Sequence, residues 1–379
     1  MLELPPLSLY IHVPWCIRKC PYCDFNSHAA GGDLPEEAYL AALLNDFRRD
    51  REYIQGRPLQ SIFIGGGTPS LLSAGFYDEL LSGLGNSVNF ASDMECTLEA
   101  NPGTVEMQRF SGFRSAGINR LSLGIQSFSN SALQALGRIH DGAEAEKAIA
   151  ICQRAGFDNY NLDIMYGLPG QTPRQAENDL RKAIGFAPAH LSWYQLTMEP
   201  NTAFYSNPPQ LPDEDTLVEI MESGFSLLEE AGLNRYEISA YARPGRPSRH
   251  NLNYWQFGDY LGIGAGASGK ITFATENRLI RTRKVRQPNH YLSVQDNYAA
   301  EVKDVEPDSL DLEFLMNALR LINGFETDLY QSRTGKSFGT IRKRLEYLQQ
   351  EGFLQVTDSS VRPTAKGVLF TNNLLENFL

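Results

Sequence analysis

"LSLYIHVPWCIRKCPYCDF", residues 7–25, joins the two signals that decide the fold. Its first half is a run of apolar, β-branched and aromatic side chains, the pattern of a buried strand. Directly behind it, a loop carries three cysteines, Cys16, Cys20 and Cys23, spaced C-x3-C-x2-C. On a loop at the C-terminal end of a strand, three thiolates can converge on one soft metal centre.

Working outward, runs of the same kind recur as SIFIGGG, ECTLEAN, NRLSLGIQSF, NYNLDIMYGLP and LSWYQLTM. Between them lie segments with helical spacing of apolar residues, such as EEAYLAALLNDFRRD, AEKAIAICQRAGF and RQAENDLRKAIGF. At least six alternating units predict an α/β fold with a parallel sheet, curved into a partial TIM-type (β/α)6 barrel. The strands end in GGGTPS, EANP, GIQS and DIMYGLPG, which such a barrel presents at its active mouth.

The division expected is a barrel over 1–235, a loop-rich extension over 236–304 and a small winged-helix-like α+β domain over 305–379. Two helices, a short hairpin LQVTD/SSVRPT and a final helix carry the last reading. Winged helices often bind DNA, but ten acidic against eight basic residues from Glu306 onward favour a protein-packing or lid role.

The formal net charge of −11 argues in the same direction, against nucleic acid as a partner. No apolar run approaches the roughly 18 residues that span a bilayer, and the N-terminus lacks the basic start of a signal peptide. The chain reads as cytoplasmic, and its five cysteines do not suit a disulfide scaffold in a reducing compartment.

What the cysteine loop holds has three readings. A structural zinc site takes four ligands, and His28 is the available fourth. A 4Fe-4S cluster leaves one iron without a protein thiolate and open to a small molecule. The third is three unrelated thiols. Gly66, Gly67 and Thr68 read either as a plain tight turn or as backbone that lets a ligand approach without a Cβ in the way. In HNLNYW, residues 250–255, a neutral imidazole beside two aromatics suits heme, or is a bonded loop histidine with core aromatics. Cys96 and Cys152 read as core, and GIGAGASG from Gly262 as a close-packed turn and not a dinucleotide site, because no helix follows it.

The C-x3-C-x2-C run with Tyr22 before its last cysteine resembles the radical S-adenosylmethionine (SAM) superfamily. That resemblance implies a 4Fe-4S cluster whose open iron is chelated by the amino and carboxylate groups of SAM, and an electron passing to the sulfonium to give a 5'-deoxyadenosyl radical. A closer resemblance, over nearly the whole chain, is to the oxygen-independent coproporphyrinogen III oxidase family and its heme chaperone branch. SLYIHVPWCIRKCPYCDFNSH, IFIGGGTPSLL, LEANPGT, ALGRIHD, NLDIMYGLPGQT and HNLNYW carry it.

The resemblance places SAM contacts at Tyr10, Tyr22, Gly66, Gly67, Thr68, Glu99, Gln126, Arg138 and Asp163. It places heme contacts at His250, Asn251, Tyr254 and Trp255. The oxidase branch has a fourth cysteine where this chain has Phe25, and a longer N-terminal segment. The implied function is a heme chaperone that binds heme, a 4Fe-4S cluster and SAM. It would deliver heme to apo-hemoproteins, respiratory ones among them, with transient membrane contact and the oligomeric state left open. The alternative is radical oxidative decarboxylation of coproporphyrinogen III.

Overall fold

Each of the six apolar runs forms a strand, and the six lie side by side in chain order. The computed structural model describes residues 2–103 and 107–379; Thr104, which ends the LEANPGT stretch, falls outside them. Strand β1 (Leu7–Val13) is followed by a short parallel pair in the cysteine loop, β2 (Trp15–Cys16) and β3 (His28–Ala29). Then come β4 (Leu59–Gly66), β5 (Phe90–Ala100), β6 (Arg120–Gln126), β7 (Tyr160–Tyr166) and β8 (His190–Gln195). Every neighbouring pair from β1 to β8 is parallel.

Burial on both faces explains why these strands read as nearly continuous apolar runs. Crossover helices over Glu36–Arg49, Ala74–Gly85, Gly142–Arg154 and Pro173–Gly185 connect them. Two of these helices start with reciprocal capping, Asp141 with Glu144 and Thr172 with Gln175. Such caps satisfy backbone N–H groups that the first turn leaves unpaired, for about 1 kcal/mol each.

The sheet continues past both ends of the six. Strands β9 (Asn234–Glu237) and β10 (Ala240–Ala242) add antiparallel to β8. On the other side, β11 (Asp259–Ile263) pairs parallel with β1, and β12 (Ser268–Phe273), β13 (Arg278–Lys284) and β14 (Ala299–Asp304) follow antiparallel. With β11 seated on the outer edge of β1, the (β/α)6 barrel stays open in a 12-stranded sheet.

Residues 236–304, expected to be a loop-rich extension, carry strands β10–β14 and helices over Arg249–Trp255 and Pro288–Ser293. Their buried charges hid them. Asp259 takes Lys270 at 2.9 Å and Arg57 at 2.8 Å, and Lys284 takes Asp46 at 2.6 Å and Asp50 at 2.7 Å. Paired charges can be buried, yet they interrupt the apolar alternation that marks a strand. The glycine run from Gly262 is the close-packed turn expected: a Cβ on Gly262 would lie 2.1 Å from the Ser268 carbonyl, where β11 approaches β12.

The C-terminal part has its own core, with Phe314, Tyr330, Phe338, Ile341, Leu345 and Val361 in it. Helices over Leu310–Ala318, Thr327–Thr334 and Gly339–Gln350 pack with a small sheet of β15 (Phe325–Glu326), β16 (Leu354–Val356) and β17 (Ser360–Pro363). The helix Thr327–Thr334 gives little apolar signal in the sequence, because two of its three buried residues are threonines. Leu2, Phe257 and Leu279 join this core from the main sheet side. Among the described residues, no helix is long and apolar enough to cross a membrane.

Candidate functional site

The C-terminal ends of the parallel strands converge on a cavity of about 370 Å³. Cys16, Cys20, Cys23 and Tyr22 line it from the loop after β1, and Gly66, Gly67 and Thr68 from the end of β4. Glu99, Gln126 and Asp163 reach it from β5, β6 and β7, and Arg138 from the segment behind β6. Eleven of the twelve residues expected around the cysteines and SAM thus share one cavity; Tyr10 does not line it.

The glycine run has a second use that the sequence reading did not contain. Thr68 N–H donates to the Trp15 carbonyl and Gly67 N–H to that of Val13, both at 2.7 Å. A Cβ on Gly67 would sit 2.5 Å from the Trp15 carbonyl, and one on Gly66 (φ +110°) 2.5 Å from the His12 ring. These glycines therefore let the β4 turn clamp the start of the cysteine loop, besides lining the cavity.

Burial raises the Cys16 thiol, with Cys23 and Cys20 adding to it, and burial also raises Cys23. The Arg138 guanidinium donates to Cys20 Sγ at 3.6 Å, to Asn101 Oδ1 at 2.6 Å and to the Gly124 carbonyl at 2.9 Å. Its Nε is buried with no hydrogen-bond partner among the described residues. A buried unpaired donor costs about 1–3 kcal/mol, which an anionic ligand group would offset.

Glu99 accepts the Gly66 N–H at 3.1 Å, yet burial and the nearby Asp163 push its carboxyl up to about 7. Asp163 is also raised by burial, against hydrogen bonds from Ser122 at 2.9 Å and Asn161 at 2.8 Å. Gln126 holds a φ of +67° where the β6–β7 register shifts, and its Oε1 accepts the Tyr194 hydroxyl at 2.8 Å. A non-glycine residue in that region stores about 1 kcal/mol or more of strain, which is typical of functional sites.

Asn101, Ser122, Ser192 and Tyr194 belong to the site and were missed. Three of them had a signal. Ser122, Gly124 and Gln126 alternate along β6, and Ser192 and Tyr194 along β8, so one period-2 face of each strand looks into the barrel.

Tyr10 falls in a second cavity, of about 440 Å³, with His12, Phe25 and Tyr254. Its hydroxyl bonds His12 Nδ1 at 3.0 Å. The HNLNYW stretch lies on a helix, Arg249–Trp255, with Ser248 as its N-cap, and not in a loop. The helix points its residues in different directions. His250 is 1% exposed, with Nδ1 on Ser61 Oγ and Nε2 on the Tyr254 hydroxyl, each at 2.9 Å. It stacks on Phe63 at 5.1 Å, and burial, helped by Arg120, lowers it to about 3. Both ring nitrogens are engaged, so this conformation offers no axial nitrogen to an iron. Trp255 lies under the Arg320 guanidinium at 4.3 Å, toward the C-terminal domain. Asn251 sits in the first turn, its N–H on the Ser248 hydroxyl at 3.3 Å. His250, Asn251, Tyr254 and Trp255 are not brought onto one surface.

The radical SAM superfamily pattern matches residues 10–183, and the HemN C-terminal domain pattern residues 306–370. The heme chaperone HemW of Escherichia coli is 50% identical over 379 residues, covering 100% of both chains. That of Haemophilus influenzae is 49% identical over 100% of this chain and 99% of its own. This chain belongs to the HemW family. The coproporphyrinogen III oxidase (HemN) of Escherichia coli shares the fold, with a TM-score of 0.82 over 99% of this chain and 90% of that one, at 23% identity.

A radical SAM family carries a 4Fe-4S cluster and SAM, and the HemW-family residues here fit both. A cluster takes each thiolate on a different iron, and the three cysteines all line the cavity. The unpartnered Arg138 Nε and the elevated Glu99 carboxyl supply, in the same cavity, a donor for a carboxylate and an acceptor for an amino group.

Proposed function

We propose that this chain is a heme chaperone: it binds heme, depends on a 4Fe-4S cluster and SAM, and hands heme to apo-hemoproteins. The observation that carries the reading is end-to-end likeness to proteins named heme chaperones, 50% identical across all 379 residues. When bound, the cluster supplies an electron donor next to the sulfonium of SAM.

Cys16, Cys20 and Cys23 hold three corners of the cluster. Arg138, tied to Cys20 and Asn101, orients a carboxylate of SAM, and Glu99 with the Gly66–Thr68 turn receives its amino group. Gln126, Asp163 and Tyr22 complete the polar and aromatic walls. The five cysteines form no disulfide, which suits a cytoplasmic setting. Acceptors among respiratory hemoproteins would bring the loaded protein to the membrane only transiently.

The test is anoxic reconstitution followed by heme addition and then an apo-hemoprotein. A Soret band that forms on this chain and moves to the acceptor is expected. Absence of heme uptake, or release of CO2 from coproporphyrinogen III with consumption of SAM, overturns the proposal.

A further inference from the structure

The second cavity has the chemistry of a tetrapyrrole site, and the sealed His250 lies behind its Tyr254 without lining it. Its walls are aromatic, from Tyr10, Phe25, Tyr254 and Tyr260, and its charged side chains are Arg283 and Arg286. Among the described residues no carboxylate lines it, in a chain of net charge −11. Arg283 pairs with Glu301 at 3.1 Å with both side chains about half exposed, a contact worth little in water. Arg286 is exposed and has no ion pair among the described residues.

We infer that this groove is where heme binds: the macrocycle lies against the tyrosine and Phe25 rings, and its two propionates reach Arg283 and Arg286. Flat aromatic walls give contact area to a flat ligand, and two guanidiniums recognise two carboxylates by charge-assisted hydrogen bonds. The volume is in the range of small-ligand pockets. This inference rests on the chaperone reading and adds the location. It also gives HNLNYW a part in binding without an exposed imidazole. His250 fixes the hydroxyl of Tyr254, and Tyr254 is the member of the motif that lines the groove. Phe25 lines this groove and the cysteine cavity alike, so the ligand would lie next to the cluster loop.

The experiment compares heme, heme dimethyl ester and iron-free protoporphyrin, each titrated into the reconstituted full chain and into Arg283→Ala/Arg286→Ala. Both arginines are exposed, and a thermal melt of the variant confirms its fold. The unaltered chain should bind heme about tenfold or more tightly than the ester, and protoporphyrin comparably to heme. The double variant should lose about tenfold for heme and protoporphyrin and nearly nothing for the ester. Equal affinity for heme and ester, or a double variant that binds heme normally, overturns the groove while leaving the chaperone reading intact. Failure of the unaltered chain to take up heme overturns that reading, and this one with it.

Discussion

Arg138 reaches Cys20 across 118 positions of sequence, its guanidinium donating to Sγ at 3.6 Å while the same side chain holds Asn101 and the Gly124 carbonyl. It is thus the residue through which strand ends on the far side of the cavity touch the cysteine loop. Replacing it by glutamine removes the charge and the orphaned Nε together. SAM affinity should fall about tenfold or more, the loss of a charged hydrogen bond, with iron and sulfide per chain nearly unchanged. Equilibrium binding and iron analysis on the same sample check both halves. A lost cluster with intact SAM affinity would refute the assignment.

The cysteines divide into two groups. Cys16→Ser, Cys20→Ser and Cys23→Ser should each abolish stable 4Fe-4S reconstitution. Cys96→Ser and Cys152→Ser, at fully buried positions, should keep iron and sulfide and lose only stability. Iron and sulfide counts with melting curves separate the groups.

Glu99 gives the site a pH dependence whose sign is fixed. Its carboxyl is raised from 4.5 to about 7, so the folded chain holds the proton more tightly than the unfolded one. Its contribution to stability is present below pH 4.5 and is lost as pH rises through 7. Glu99→Gln should remove that decline. SAM, whose ammonium group Glu99 is assigned to receive, needs the ionised form, so its affinity should rise between pH 6 and pH 8 and flatten in Glu99→Gln, as read by titration at about these two pH values.

Gly67→Ala tests the clamp. The added methyl meets main-chain atoms of Trp15, which cannot turn aside as a side chain would. A loss of about 1–3 kcal/mol in stability is expected, with weaker cluster retention, because the strand that must shift carries Cys16. An unchanged melting temperature would contradict the packing argument.

His250→Ala leaves the Tyr254 hydroxyl without its partner and the Ser61 hydroxyl with Ser8 alone. The cost should be about 2–4 kcal/mol of stability, with heme uptake weakened and not abolished. Complete loss of heme binding in a variant that still melts like the parent would identify the imidazole as the direct ligand.

The six parallel strands and the cysteine loop were legible because both signals are local: apolar runs, and thiols on one loop behind one of them. The cavity was legible because parallel barrel strands put their C-terminal ends together. Strands β11–β14 were not, since Lys270 and Lys284 are neutralised by Asp259, Asp46 and Asp50, partners that no local pattern reveals. The direction in which His250 points is also non-local. It is set by Ser61 and Phe63, on a strand nearly 190 residues earlier in the chain. Tyr10 lines the second cavity and not the cysteine one for a local reason: it alternates with Leu9 and Ile11 and shares a face of β1 with His12.

Phe25 forms part of two chambers at once, so its ring cannot move toward one without redrawing the other. With heme in the groove we propose and SAM in the cysteine cavity, cargo and nucleotide would feel each other through that shared ring. Thermodynamics makes that influence mutual: whatever factor the nucleotide applies to the grip on the cargo, the cargo must apply to the grip on the nucleotide.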